Sequence, residues 1–480
     1  MMTHITRRTF MKSTMTAGMF LGLSRWSWAK VPGANDDIRV AVVGLRNQGK
    51  RHVQWFRELP GVRVVALCDP DSNVLEREEN EFRKRNEIVD TYSDIRKLLE
   101  DKNIDAVVIA TPNHWHALAT VWGCQAGKDV YVEKPISHSI WEGRQMVKAA
   151  RKYKRIVQSG LQRRSDKGLK EALEYINQGN LGKIKYIRGI CFVRRGSIGK
   201  VTGPQPIPPS VDYDLWCGPS DKKPLMRENL HYDWHWDWST GDGEFGNNGI
   251  HFIDICRWAL QENKLPPRVL SLGGRFGYID DGHTPNTHLI LLDYQPAPII
   301  FELRGLPVKA GVSAMDAYRG IRIGTVIQCE GGYFCGGFAY DNNGKKLKQF
   351  DRDGGGAHKA NFIEAVRSRK VSDLNADVLE GHLTTTLCHL GNISYRIGKL
   401  AQQEEIMDAI KANKEVVDSY ERMLENLLAN DIDLKQTPIT LGPCLTVDSQ
   451  KERFVGDFSD WGNMLLNLNY REPFFIPEKV

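Results

Sequence analysis

The stretch Ile38-Arg39-Val40-Ala41-Val42-Val43-Gly44-Leu45-Arg46-Asn47-Gln48-Gly49 decides how the chain is read. Five of its first six residues are apolar and most of those are β-branched, the pattern of a strand buried on both faces of a parallel sheet. The strand runs into a turn with Gly44 and Gly49 five apart, and a helix is expected over residues 50–58. Strand, glycine turn and helix start together make a site for a dinucleotide pyrophosphate, because the first helical amides point at the phosphates and glycine lets the backbone approach. The expected cradle is Gly44, Leu45, Arg46, Asn47, Gln48 and Gly49. The full pattern carries another glycine between the two, where Arg46 stands, so this stretch alone also fits an ordinary strand-to-helix turn.

Working outward, residues 62–68 form a second apolar strand that ends at Asp69, twenty residues beyond Gly49. A carboxylate there accepts hydrogen bonds from ribose hydroxyls and repels a 2′-phosphate, which favours NAD over NADP. Asp69 also reads as a turn residue in Asp-Pro-Asp-Ser-Asn, and the Arg46 guanidinium can tolerate a phosphate, so NADP is left open. The alternation continues with helices over 73–85 and 93–100 (Ser93 as N-cap), a strand over 106–110, a helix to 126, a strand over 129–132, a helix over 140–153 and a strand over 156–160. This βαβ order implies a doubly wound parallel sheet over residues 37–160, with its ligand at the carboxyl ends of the strands.

Beyond residue 160 the pattern changes. A helix over 168–177, a strand over 184–192 and Pro/Gly-rich loops over 196–224 lead to strands over 268–272, 288–292, 299–303 and 324–329. Their mixed polarity predicts an α+β domain over 161–400, with a largely antiparallel open sheet that keeps one face free. Helices over 358–368 and 379–400 cover the other face or the first domain, and residues 401–480 are read as peripheral helices and a tail.

Length and composition narrow the function. The 480 residues suffice for two or three domains, and 41% hydrophobic and 26% charged residues are ordinary for a globular chain. A net charge of +6 without a basic block past the N-terminus argues against nucleic acid. Nine cysteines without a C-x-x-C pair suggest neither a disulfide framework nor a metal site. Residues 1–30 read as a twin-arginine export signal: Thr6-Arg7-Arg8-Thr9-Phe10-Met11-Lys12, an apolar run over 15–23, then Ser27-Trp28-Ala29. No later run is long and apolar enough to span a membrane, so a periplasmic protein is expected.

Two constellations carry chemistry. Glu133-Lys134-Pro135 places a lysine at the end of a parallel strand, where its ammonium can hold a hydroxyl and stabilise the oxygen as hydride leaves the carbon. It also fits a surface lysine at a strand end. Gly246-Asn247-Asn248-Gly249-Ile250-His251-Phe252-Ile253-Asp254 opens a helix expected over 248–260, with Asn247, His251 and Asp254 on neighbouring surface. His251 can exchange the substrate proton, Asn247 can orient a hydroxyl or the imidazole, and Asn248 lies beside them. Between these lies His231-Tyr232-Asp233-Trp234-His235-Trp236-Asp237-Trp238, in which Trp236 and Trp238 can stack on a sugar or pack the loop onto the sheet. Arg163 follows the last strand of the first domain and can reach the substrate, although Arg163 or Arg164 can equally bridge the domains.

On these motifs, with Ala110-Thr111-Pro112-Asn113 and His116, the chain resembles the Gfo/Idh/MocA oxidoreductases, NAD(P)-dependent sugar and polyol dehydrogenases, from Ile38 to about Leu400. Asp212-Tyr213-Asp214-Leu215-Trp216, Gly218-Pro219, His358 and Asn361-Phe362 resemble the secreted bacterial subgroup. The resemblance implies a catalytic Lys134 that also touches the nicotinamide ribose, an acid–base His251, Asn113 and His116 at the nicotinamide end, Glu133 at the ribose, and Thr111 and Pro112 among the cofactor-binding residues. The family often has an aspartate four residues before the histidine, where this chain has Asn247. The expectation is an exported oxidoreductase acting on a sugar, glycoside or polyol. The alternative is a glycosidase that recycles a retained NAD, although such relatives lack the lysine kept here. A sugar-binding or structural protein on a vestigial fold is the third reading. The resemblance further implies a homo-oligomer formed through the free face of the second sheet.

Overall fold

The computed structural model describes residues 37–478 and 480, so the export signal expected within residues 1–30 lies outside the described residues. β1 (Ile38–Val43) sits inside a parallel sheet with β2 (Val62–Cys68), β3 (Asp90–Tyr92), β4 (Ala106–Ile109), β5 (Asp129–Val132) and β6 (Val157–Ser159), ordered β3-β2-β1-β4-β5-β6. Side chains alternate across the strand. Val40 and Val42 therefore pack with Phe56 on one face, while Ala41 and Val43 pack with Leu118 on the other. Five helices connect these strands: α1 (Asn47–Arg57), α2 (Ser72–Arg83), α3 (Ile95–Glu100), α4 (Asn113–Gln125) and α5 (Ile140–Lys152). α1 starts three residues earlier than expected, and the cap of α3 is Asp94, not Ser93: its carboxylate accepts from the Arg96 amide at 2.8 Å. The strand order reverses between β1 and β4, which opens a crevice at their carboxyl ends.

The second sheet has twelve strands. Eight lie between residues 184 and 349: β7 (Ile184–Phe192), β8 (Arg268–Gly274), β9 (Thr287–Leu292), β10 (Ile299–Arg304), β11 (Ile323–Cys329), β12 (Gly332–Cys335), β13 (Phe338–Asp341) and β14 (Lys346–Gln349). Four come from the C-terminal part: β15 (Lys399–Ala401), β16 (Ile439–Leu441), β17 (Leu445–Asp448) and β18 (Arg453–Val455). The order is β14-β13-β12-β11-β7-β10-β9-β8-β16-β15, with β17 also on β8; β7 and β10 pair in parallel and the other pairs are antiparallel.

Among the described residues, the further helices of eight residues or more are α6 (Lys167–Asn177), α7 (Ile250–Leu260), α8 (His358–Ser368), α9 (Val378–Arg396), α10 (Gln403–Ile410) and α11 (Lys414–Ala429). On one face of the second sheet, Ile290 and Phe301 pack with Leu173, Ile253 and Leu387 of α6, α7 and α9. The opposite face, expected to be free, is covered. Leu272, Leu289 and Ile300 pack against Ile406 and Ile410 of α10 and Met423 and Leu427 of α11. Val416, Tyr420, Met423 and Leu427 recur at helical spacing and form the apolar stripe that seats α11 there. At its edge Arg188 of β7 is fully buried between Glu302 at 3.1 Å and Glu415 and Asp418, each at 2.8 Å. The C-terminal part is thus integral to the second sheet. α8 returns to the first domain, where Phe362 and Ile363 join the Phe56 cluster, and Phe474 and Ile476 close the opposite face against Trp115.

Candidate active site

The carboxyl ends of β1, β2, β4 and β5 open into a cavity of about 1080 Å³ that extends to the N-terminal end of α7. At its floor Gly44 adopts φ +81°, and a Cβ there would lie 2.7 Å from the Ala110 carbonyl oxygen. Only glycine permits that approach. Arg46 precedes α1 in an extended conformation and places no side-chain cap on it, so the first amides of α1 stay free for an anion. Leu45, Asn47 and Gln48 line the same wall. Gly49 does not. A Cβ on it would fall 1.7 Å from the Gly44 carbonyl oxygen, so Gly49 serves the packing of helix on turn.

Asp69 lines the adjoining wall. Its carboxylate accepts from the Leu45 amide at 2.8 Å and the Asp71 amide at 3.0 Å. Burial raises its pKa to about 6, against the opposing pull of those two amides. Arg46 turns to Asp71, 3.5 Å away. Thr111 and Pro112 follow β4 into the cavity, and the Thr111 hydroxyl is buried without a hydrogen-bond partner among the described residues. A glycine cradle, an uncapped helix start and an unpaired hydroxyl fit a dinucleotide phosphate and ribose.

At the far end, His116 holds two strand ends together: its ring nitrogens lie 2.8 Å from the Thr111 carbonyl and 2.6 Å from that of Pro135. Asn113 lines the cavity but donates its amide to Asp242 at 2.7 Å, and Asp242 is also paired with His138 at 3.1 Å. Glu133 lies 2.7 Å from His52 Nε2 and accepts from Gln48 at 3.0 Å. Burial pushes its carboxyl up, but His52 and Lys134 together hold it well below the usual range. The Lys134 ammonium donates to the Asn247 carbonyl at 2.7 Å and lies 3.4 Å from Asn247 Oδ1. Burial lowers its pKa, which Glu133 and Glu244 partly oppose. His251 faces the same space. Burial and the charges of Lys134 and Arg163 hold its pKa well below the usual imidazole value. Its Nδ1 is buried with no partner among the described residues. A buried cation and a neutral imidazole at one end of a nucleotide-shaped crevice can together hold and transfer a hydroxyl proton.

Residues 38–161 match the oxidoreductase family described as an NAD-binding Rossmann fold, and residues 192–275 match the family's C-terminal α/β domain. These two segments resemble the two domains of the Gfo/Idh/MocA oxidoreductases. The chain's first domain has the family's NAD-binding fold. Among curated relatives, a myo-inositol 2-dehydrogenase of Thermotoga maritima is 27% identical over 176 residues, 37% of this chain and 48% of that protein. A glycosyl hydrolase family 109 protein of Shewanella baltica is 33% identical over 172 residues, 31% of this chain and 38% of that protein. The chain thus matches about half or less of the length of these relatives. The crystal structure of the WlbA dehydrogenase from Bordetella pertussis, in complex with NADH and UDP-GlcNAcA, shares the fold at TM-score 0.56 and 18% identity, covering 75% of this chain and 97% of that one.

Within this Gfo/Idh/MocA-like framework several residues lie elsewhere than expected. Arg163 lies over the Phe252 ring, 4.7 Å from its centroid, and Arg164 bridges to Asp254 at 2.8 Å and Glu380 at 2.9 Å. Trp236 is buried under Arg195, and Trp238 lies under Arg396; none of Arg163, Trp236 and Trp238 lines the cavity. A 3₁₀ turn at Asp233–Trp236, entered through Tyr232 at φ +71°, rotates Tyr232, Trp234 and His235 inward instead. Trp234 and His235 stack at 3.6 Å. Asn247 and Asn248 line the cavity on a π-helical turn, Phe245–Gly249, that precedes α7. The sequence reading missed Glu244, whose clamp by Arg195 joins residues 49 apart in the chain. It also missed the strap over the crevice: the Asp212 amide donates to the Pro70 carbonyl at 2.9 Å, His231 lies 3.2 Å from Asp71, and Leu215 and Trp216 line the cavity.

Proposed function

We propose that this chain is an NAD(P)-dependent oxidoreductase acting on a hydroxyl of a sugar, glycoside or polyol. The observation that carries the reading is the meeting of Lys134 and His251 at the end of a crevice that begins at the Gly44 turn. Bound in that crevice, the nicotinamide would accept or return hydride at the carbon. Gly44, the α1 amides, Asp69 and Thr111 would hold the nucleotide. Lys134 holds the substrate hydroxyl and stabilises the oxygen as its proton leaves, while neutral His251 can take that proton. Tyr232, Trp234 and His235 offer aromatic faces to a sugar ring.

A second reading, hydrolysis of a glycoside with NAD retained and recycled, is favoured by the resemblance to the Shewanella baltica protein and by the strap across the crevice. Feeding free sugars, polyols and aryl glycosides to the purified protein separates the two. Net NADH from a free hydroxyl compound supports the first, and aglycone release without net NADH the second. Export by the twin-arginine route belongs to the proposal on the strength of Arg7-Arg8, and Arg7→Lys with Arg8→Lys should leave the protein in the cytoplasm.

A further inference from the structure

We propose that Glu244 is the carboxylate that positions Lys134, acting through the side chain of Asn247. This rests on the reading of Lys134 as the ammonium that holds the substrate hydroxyl. The two side-chain contacts of the Lys134 ammonium with hydrogen-bond geometry both go to Asn247, its carbonyl at 2.7 Å and its Oδ1 at 3.4 Å. Behind Asn247 lies Glu244, only 5% exposed. Glu244 accepts from Asn247 Nδ2 at 3.4 Å and from Asn248 Nδ2 at 2.6 Å. Arg195 clamps the same carboxylate from β7's end, through Nε at 2.9 Å and Nη2 at 3.0 Å, and donates to the Tyr232 hydroxyl at 3.0 Å.

The direction of this relay follows from what each group can do. A carboxylate only accepts, so it holds the NH₂ end of Asn247 toward itself. That leaves the amide oxygen as the end facing the ammonium. With Glu244 removed, the amide can rotate and turn its NH₂, which cannot accept, toward the ammonium. Asn247 and Asn248 both reach Glu244 because they follow it at the i+3 and i+4 spacings that put side chains on one helical face. Gly246 and Gly249 permit the close packing of the π-helical turn: a Cβ on either would meet Asp242 at 2.5 Å or Phe245 at 3.0 Å.

Glu244 also supplies charge. Lys134 is faced by Glu133 from the end of β5, by Cys191 and Arg195 from β7 and its following loop, by Glu244 and His251 around the π turn, by His235 from the aromatic loop and by Cys388 from α9. Glu133 and Glu244 are the two carboxylates of this set, and both favour the ammonium. Glu133 is already engaged by His52 and Gln48 on the far side.

The test is a pH titration of Lys134 in the full chain, followed by NMR after reductive ¹³C-methylation, with the signal assigned by its loss in Lys134→Met. In Glu244→Gln the midpoint should fall by about half a pH unit or more, because a nearby negative charge is gone. Adding Asn247→Asp to that variant should restore it, since the carboxylate then stands beside the ammonium. In turnover, kcat should drop about tenfold with KM for NAD unchanged. An unchanged midpoint in folded Glu244→Gln overturns the proposal. Should that variant not fold, Asn247→Ala, which keeps the Glu244 charge and the Glu244–Arg195 pair but removes the amide between Glu244 and Lys134, must show a smaller fall; an unchanged midpoint there also overturns it. Because the titration needs no turnover, a wild-type protein without dehydrogenase activity would sink the oxidoreductase reading and leave this result separate.

Discussion

At the scale of single residues, Asp69 and Lys134 make opposite use of burial. Burial raises the Asp69 carboxyl to about 6, so it is charged at neutral pH and loses its charge in mild acid. Its repulsion of a 2′-phosphate should fade with that charge. The affinity ratio of NAD to NADP, measured by fluorescence titration, should fall as pH drops from about 8 to about 5. Asp69→Asn should show a low ratio at both. Lys134 is lowered from the usual lysine value, and the His251 imidazole lies well below its own. In the oxidation direction kcat/KM should therefore show no inflection near 6.5 and fall with rising pH through one below about 10.5, as Lys134 loses the charge that stabilises the oxygen. An inflection near 6.5 would mean that His251 titrates as a free imidazole does.

At the scale of elements, the β1 turn carries the nucleotide site, and its geometry is narrow. Gly49→Ala would force a Cβ into the Gly44 carbonyl. The expected cost is about 1–3 kcal/mol, read as a lower Tm, with weakened NAD binding because the first turn of α1 must shift. The strand, the turn and Asp69 were legible in the sequence because they depend on local pattern: a nearly continuous apolar run, a glycine at positive φ, a carboxylate at a fixed distance along the chain. Lys134 and His251 were legible for the same reason, each lying at the end of a regular element. Trp236 and Trp238 pack away from the cavity, because the 3₁₀ turn at Asp233–Trp236 directs Tyr232, Trp234 and His235 into it instead. Glu244 was invisible because its clamp by Arg195 joins residues 49 apart, which no local spacing reveals. The covering of the second sheet by α11 was written in the spacing Val416, Tyr420, Met423, Leu427, but not which surface that stripe would meet.

At the scale of the whole molecule, the two domains are tied by segments distant in sequence. α8 completes one face of the nucleotide-binding sheet, and Phe474 completes the other, packed at 5.5 Å from Trp115 and 1% exposed. Phe474→Ala should cost about 3–5 kcal/mol, and the loss should appear as earlier hydrogen exchange in α4, whose N-terminal end lines the active site. A loss confined to the C-terminal segment would show that it is merely appended. The strap from Val211 to His231 binds the second domain to the Pro70-Asp71 turn, so opening of the crevice requires its release.

The most direct test of the central claim is formation of NADH by wild type and Lys134→Met, each given NAD and a panel of sugars and polyols. The account predicts net NADH from wild type on at least one of them and a loss of about 10²–10⁴-fold in the variant, with NAD still bound. Equal rates in the two proteins, or bound NAD with no net NADH from any hydroxyl compound, would contradict it.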